Sequence, residues 1–154
     1  MPARRLVVGL GHPDRGDDAV GARVADEVAG RRDDLLVRHL LDPLALLDLL
    51  PGAEALVVVD AALSTAPLGT VEVFDVASRP LPAMADGRRS THGMSLATVL
   101  DLARTTATLP PSAWVVTVAA QRFDLGSPPH PAVLAAGPEA ATRVVELLSR
   151  AGSG

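Results

Sequence analysis

Residues Leu6–Gly21 read LVVGLGHPDRGDDAVG. Leu6–Leu10 is a short run without a polar residue, which predicts a strand buried on both faces. Gly11–Asp17 carries Gly, Pro and Asp and predicts a loop. From Asp18 the valines Val20, Val24 and Val28 recur every four residues. That spacing predicts a helix over Asp18–Ala29, with Gly30 as its stop. A buried strand, a glycine-rich turn and a helix, in that order, open an α/β fold.

The rest of the chain repeats the alternation. Leu35–Leu41 predicts a second strand, followed by a short helix over Pro43–Leu50 with Asp42 as its cap and Pro43 in its first turn. Ala55–Val59 (ALVVV) is the clearest buried strand, ending at Asp60. After a loop over Ala61–Gly69, Thr70–Val76 alternates with period two, as a half-exposed strand does. Ala77–Thr91 is a long loop, a length that in a compact domain usually signals function. Ser95 caps a predicted helix over Leu96–Arg104, and Ala113–Ala119 is a further buried strand. Gln121–Pro131 reads as a Pro-rich loop. The final helical region breaks or restarts at Gly137–Pro138 and covers the sheet with Val144, Val145, Leu147 and Leu148. The expected fold class is α/β: a three-layer α/β/α sandwich on a mostly parallel, five-stranded twisted sheet, forming one domain over residues 1–154.

Composition narrows the function. The chain has 154 residues, 48% of them hydrophobic and 21% charged, which excludes a disordered chain. The aromatics are Phe74, Trp114 and Phe123, with no Tyr, so the core must be built from Leu, Val and Ala. A formal net charge of −4, no dense basic cluster and so few aromatics argue against a nucleic-acid partner. The absence of cysteine excludes a thiol nucleophile, a disulfide scaffold and a cysteine-ligated zinc site. No stretch has the length of a membrane helix, and the apolar run before Gly11 is too short for a secretion signal, so a cytoplasmic setting without a membrane partner is expected.

In open α/β sheets ligands sit beyond the carboxyl ends of the strands. Those ends are followed here by Asp14, Asp17 and Asp18, by Asp60, by His92 after the hairpin strand, and by Gln121 and Asp124. Asp18, Asp60 and His92 should converge on one rim, and two carboxylates with an imidazole suit a divalent metal ion. Each residue also has an ordinary reading. Asp17 and Asp18 stand where carboxylates cap a helix, and Asp60 where one caps a turn. His39 and His130 read as surface or turn residues, whereas His12 follows the first strand and faces the same rim. The first loop is not a dinucleotide loop, because Asp14 replaces the third glycine and the carboxylates would repel a pyrophosphate. The chain has no lysine, hence no P-loop, and no G-x-S-x-G elbow. No nucleotide cofactor is expected.

Assembled, these residues resemble the nickel–iron hydrogenase maturation proteases. That family opens with an apolar strand and G-x-G-N-x-x-x-x-D-[DE]-x-x-G, which stands here as Gly9-Leu10-Gly11-His12-Pro13-Asp14-Arg15-Gly16-Asp17-Asp18-Ala19-Val20-Gly21. A strand ending in D-A follows as Val57-Val58-Val59-Asp60-Ala61, then a P-x-G-[TE]-[VI] turn as Pro67-Leu68-Gly69-Thr70-Val71. A [ST]-T-H segment appears as Ser90-Thr91-His92, with Met94-Ser95-Leu96 after it, and a last loop holds Gln121-Arg122-Phe123-Asp124.

The resemblance implies a phosphorylase/hydrolase-like fold. It also implies an endopeptidase that trims the C-terminal extension of a hydrogenase large-subunit precursor once nickel is installed. The nickel would be carried by the precursor. Asp18, Asp60 and His92 fall on the family's metal-contacting positions. Asp17, grouped with them as a catalytic candidate, orients His92, binds water or caps the helix. The family's Asn is His12 here, either holding the turn or adding a ligand, and the turn role is the more conservative. Two rivals stand beside this reading. A non-proteolytic metal- or precursor-binding paralogue would share the fold. Peptidyl-tRNA hydrolases share the G-L-G-N-P opening, but the chain lacks their later motif and a basic surface.

Overall fold

In the computed structural model, residues 4–82 and 95–151 are described. The predicted opening unit forms: β1 spans Arg4–Leu10, and α1 spans Val20–Arg31. Between them lies a 3-10 turn, Gly16–Ala19, where the sequence predicts the start of the helix. The strands β2 (Leu36–Leu40), β3 (Ala53–Leu63), β4 (Val71–Asp75) and β5 (Ser112–Ala120) follow, with a 3-10 segment at Pro43–Asp48. The remaining helices are α2 (Leu96–Thr105), α3 (Pro131–Ala135) and α4 (Gly137–Ala151), so the expected break at Gly137 is present. Ser95 caps α2 as predicted, its hydroxyl accepting from the backbone N–H of Thr98.

The sheet has the order β2-β1-β3-β5-β4. Every pair is parallel except β4 with β5. This is the mostly parallel five-stranded sheet expected, with β3 at its centre. Side chains alternate along each strand, so each face of the sheet builds its own core. Val7, Val57, Val59, Val116 and Val118 face one way and pack against α1, α3 and α4. Leu6, Val8, Leu10, Leu56, Val58 and Val115 face the other way, against α2 and the Pro43–Asp48 segment. These are the three layers of the sandwich. Among the described residues no helix is long and apolar enough to cross a membrane.

Two glycines set how closely α1 approaches the sheet. A methyl group at Gly21 would stand 2.4 Å from the Leu10 carbonyl oxygen and 2.8 Å from that of Val59. A methyl at Gly9 would stand 2.4 Å from the Gly21 carbonyl oxygen. The first turn of α1 therefore rests directly on the backbones of β1 and β3, and only glycine fits at that contact. This contact carries the residues just before α1 to the rim of the sheet.

One boundary differs in a way that matters for the site. β3 does not stop at Asp60 but runs on to Leu63, paired throughout with β5 as far as Leu63↔Ala120. A carboxylate interrupts the apolar run and reads as an end, yet Ala61 and Ala62 beyond it are small, apolar and buried. Asp60 is an interior residue of the central strand.

Candidate active site

Asp18 reaches the rim through the turn that follows β1. Gly11 has φ +133°, a backbone conformation that residues with side chains rarely adopt. A methyl there would stand 2.8 Å from Asp18 Oδ1, so the carboxylate lies against the bare α-carbon of Gly11. Asp18 Oδ2 accepts a hydrogen bond from the His12 backbone N–H at 2.7 Å. The side chain is 5% exposed.

Asp60 comes to the same rim from β3. The last paired residues of β1 and β3 are Gly9 and Val59, so Leu10 and Asp60 come next on adjacent strands. Neighbouring strands lie about 4.8 Å apart. Asp60 is thus level with the tip of β1, just below the turn that carries Asp18, and the 3-10 turn packs on β3. Asp60 is 1% exposed. Carboxylates taken this far from water need compensation by hydrogen bonds, cations or a metal. Among the described residues no group of three His, Cys, Asp or Glu side chains is placed to hold a metal ion. His92, the third residue expected here, lies outside the described residues.

Neither Asp17 nor Asp18 caps a helix. The 3-10 turn has Arg15 and α1 has Ala19 at the capping position, and neither start has a side-chain cap. Consecutive side chains of a 3-10 turn point about 120° apart. Asp18 therefore faces the β1 turn, while Asp17 faces the loop after β5. Asp17 Oδ2 accepts from the backbone N–H groups of Gln121 at 3.0 Å and Arg122 at 2.9 Å. Its Oδ1 accepts from the His130 backbone N–H at 2.6 Å. His130 Nδ1 lies 2.8 Å from Oδ2 and is the donor to this carboxylate. Burial on its own would push the Asp17 carboxyl up. The Gln121, His130 and Arg122 N–H groups and the His130 ring outweigh that and hold it below the ordinary aspartate value. Asp17 is a buried, ionised clamp on the loop that borders the rim.

The other candidates fall out more simply. His12 Nδ1 accepts from the Asp14 backbone N–H at 3.1 Å, which is the turn-holding role. His39 pairs with Asp26 on the surface at 2.9 Å. Asp14 and Asp124 are exposed. Gln121 contributes its backbone rather than its side chain to the clamp. His130 is the residue whose part is least visible in the sequence. Pro129 and Pro131 flank it and suggest only a turn, yet it meets Asp17 through both backbone and ring.

The hydrogenase maturation protease family model matches residues 41–147 of this chain. The chain belongs to that family. Its members are endopeptidases, and this protein is a hydrolase. The fold is that of solved members. The hydrogenase maturating endopeptidase HybD of Escherichia coli is 24% identical, with a TM-score of 0.75 over 97% of this chain and 94% of its own. An endopeptidase from Escherichia coli solved in solution is 25% identical, with a TM-score of 0.74 over 97% and 94%. The [NiFe] hydrogenase maturation protease HycI of Thermococcus kodakarensis is 21% identical, with a TM-score of 0.69 over 96% and 93%. No curated protein matches the chain significantly.

Proposed function

We propose that this protein removes the C-terminal extension of a nickel-loaded hydrogenase large-subunit precursor. The observation that supports this reading is the pair of buried carboxylates, Asp18 and Asp60, gathered at one rim of the sheet in a hydrogenase maturation protease. In this reading the nickel ion belongs to the substrate. Asp18 and Asp60 offer it oxygen ligands, and His92, from its place in the family pattern, offers an imidazole. A cation held by precursor and protease together fixes the scissile peptide next to the ion. There it polarises the peptide carbonyl or a bound water. Asp17 positions this arrangement rather than reacting. It ties the Gln121–His130 loop to the turn whose next residue is Asp18. The proposed setting is the cytoplasm, with no nucleotide cofactor.

The test is cleavage of nickel-loaded precursor by Asp18→Asn, Asp60→Asn and His92→Ala. Each variant should keep the wild-type circular dichroism spectrum and lose at least about 100-fold in kcat/KM. Wild-type rates in all three would overturn the site.

A further inference from the structure

The sheet face that carries Asp60 continues past the apolar core as a groove. Asp60 on β3 is paired in register with Thr117 on β5, and Thr117 with Glu72 on β4. Residues opposite one another in a ladder project from the same face. Asp60, Thr117 and Glu72 therefore form a polar row across three adjacent strands. Two strand spacings put the α-carbons of Asp60 and Glu72 roughly 10 Å apart. Above this row lies a groove of about 750 Å³, with Ala62 and Ala119 in its floor and Leu63 and Phe74 in its walls. The small side chains leave the space open. Of the described residues that line the groove, Glu72 alone is ionisable. It is exposed, and among the described residues no side chain pairs with its carboxylate.

We propose that this groove seats the precursor segment beside the scissile bond, and that Glu72 selects a cationic side chain in it. The proposal rests on the proteolytic reading given above. Three observations commit it to this occupant. The groove is continuous with Asp60 through Thr117, so a chain held at the rim runs into it. Its walls are apolar, which suits the methylene stem of an arginine or lysine. The charge at its far side is the Glu72 carboxylate, which no side chain among the described residues pairs with. An extended chain advances about 3.3 Å per residue, so the cation lies within about three residues of the bond held at Asp60.

Two measurements on the full-length protein test this together. One is the steady-state cleavage of nickel-loaded precursor. The other is the binding of a fluorescent synthetic peptide spanning the cleavage site, read by anisotropy. Glu72→Gln should raise KM and the peptide Kd by roughly two- to fivefold, as loss of one partly exposed ion pair does. Replacing one Arg or Lys near the cut by Gln should have the same effect, with no further loss in the Glu72→Gln enzyme. Glu72→Lys should regain affinity for a precursor whose basic residue is changed to Glu. Glu146→Gln on α4 serves as the control.

If the wild type cleaves and Glu72→Gln matches it in both measurements, the groove assignment is overturned and the protease reading stands. If the wild type does not cleave but binds the peptide in a Glu72-dependent way, the protease reading falls and the groove assignment stands. If there is neither cleavage nor Glu72-dependent binding, both fall.

Discussion

Asp17 couples the acid stability of this fold to the shape of its rim. Its carboxylate accepts three backbone N–H groups and one ring N–H, all from the loop after β5. Removing the charge strands those donors in a buried place. Asp17→Asn should therefore cost about 3 kcal/mol, read as a lowered urea midpoint at neutral pH. Because the folded-state pKa of Asp17 is lower than that of the unfolded chain, its contribution is complete above about pH 5. It is lost as the pH falls through the folded value. The wild type should lose stability steeply below about pH 4, and Asp17→Asn should show a shallower slope there. An unchanged midpoint would remove the clamp. At this scale the sequence was half legible. Asp18 and Asp60 stand out as carboxylates at strand ends, and the structure places both at the rim. Asp17 looked like a helix cap because local reading weighs only near neighbours, whereas its partners lie 104 to 113 residues away.

The elements follow from apolar spacing, and their junctions follow from backbone contact. The alternating and continuous apolar runs predicted all five strands and the main helices within a few residues. The exceptions are instructive. The 3-10 turn Gly16–Ala19 replaces a first helical turn because Gly16 and Asp17 are held by the loop after β5, through Gly16 N–H to Ser127 and Asp17 N–H to Arg122. β3 outruns its apolar stretch because β5 keeps pairing with it beyond Asp60. Neither tertiary contact has a local signature. The tightest junction is Gly21 on Leu10 and Val59, and Gly21→Ala should cost about 3 kcal/mol by lifting α1 from the sheet. Ser95→Ala should cost about 1 kcal/mol through the lost α2 cap. Thermal unfolding of the two variants checks both, and a smaller loss for Gly21→Ala than for Ser95→Ala would contradict the close approach.

In the molecule as a whole, the topology concentrates chemistry on one rim. The parallel strands β1, β3 and β5 all deliver their carboxyl ends there, so a turn, a strand interior and a loop meet although they are far apart in sequence. That Asp18 and Asp60 share this rim was legible from the order of elements and the residues after each strand, whereas His92, the third residue expected there, lies outside the described residues. The groove toward Glu72 was not legible, because it depends on the register of β4 against β5. In the proposed function the rim recognises nickel in the precursor before the peptide is cut. The most direct measurement is intact-mass analysis of one large-subunit precursor, nickel-loaded and nickel-free, after incubation with the purified protein. The nickel-loaded form should lose a single C-terminal fragment, and the nickel-free form should keep its mass. Equal cleavage of both forms, or cleavage of neither, would overturn nickel recognition at the rim.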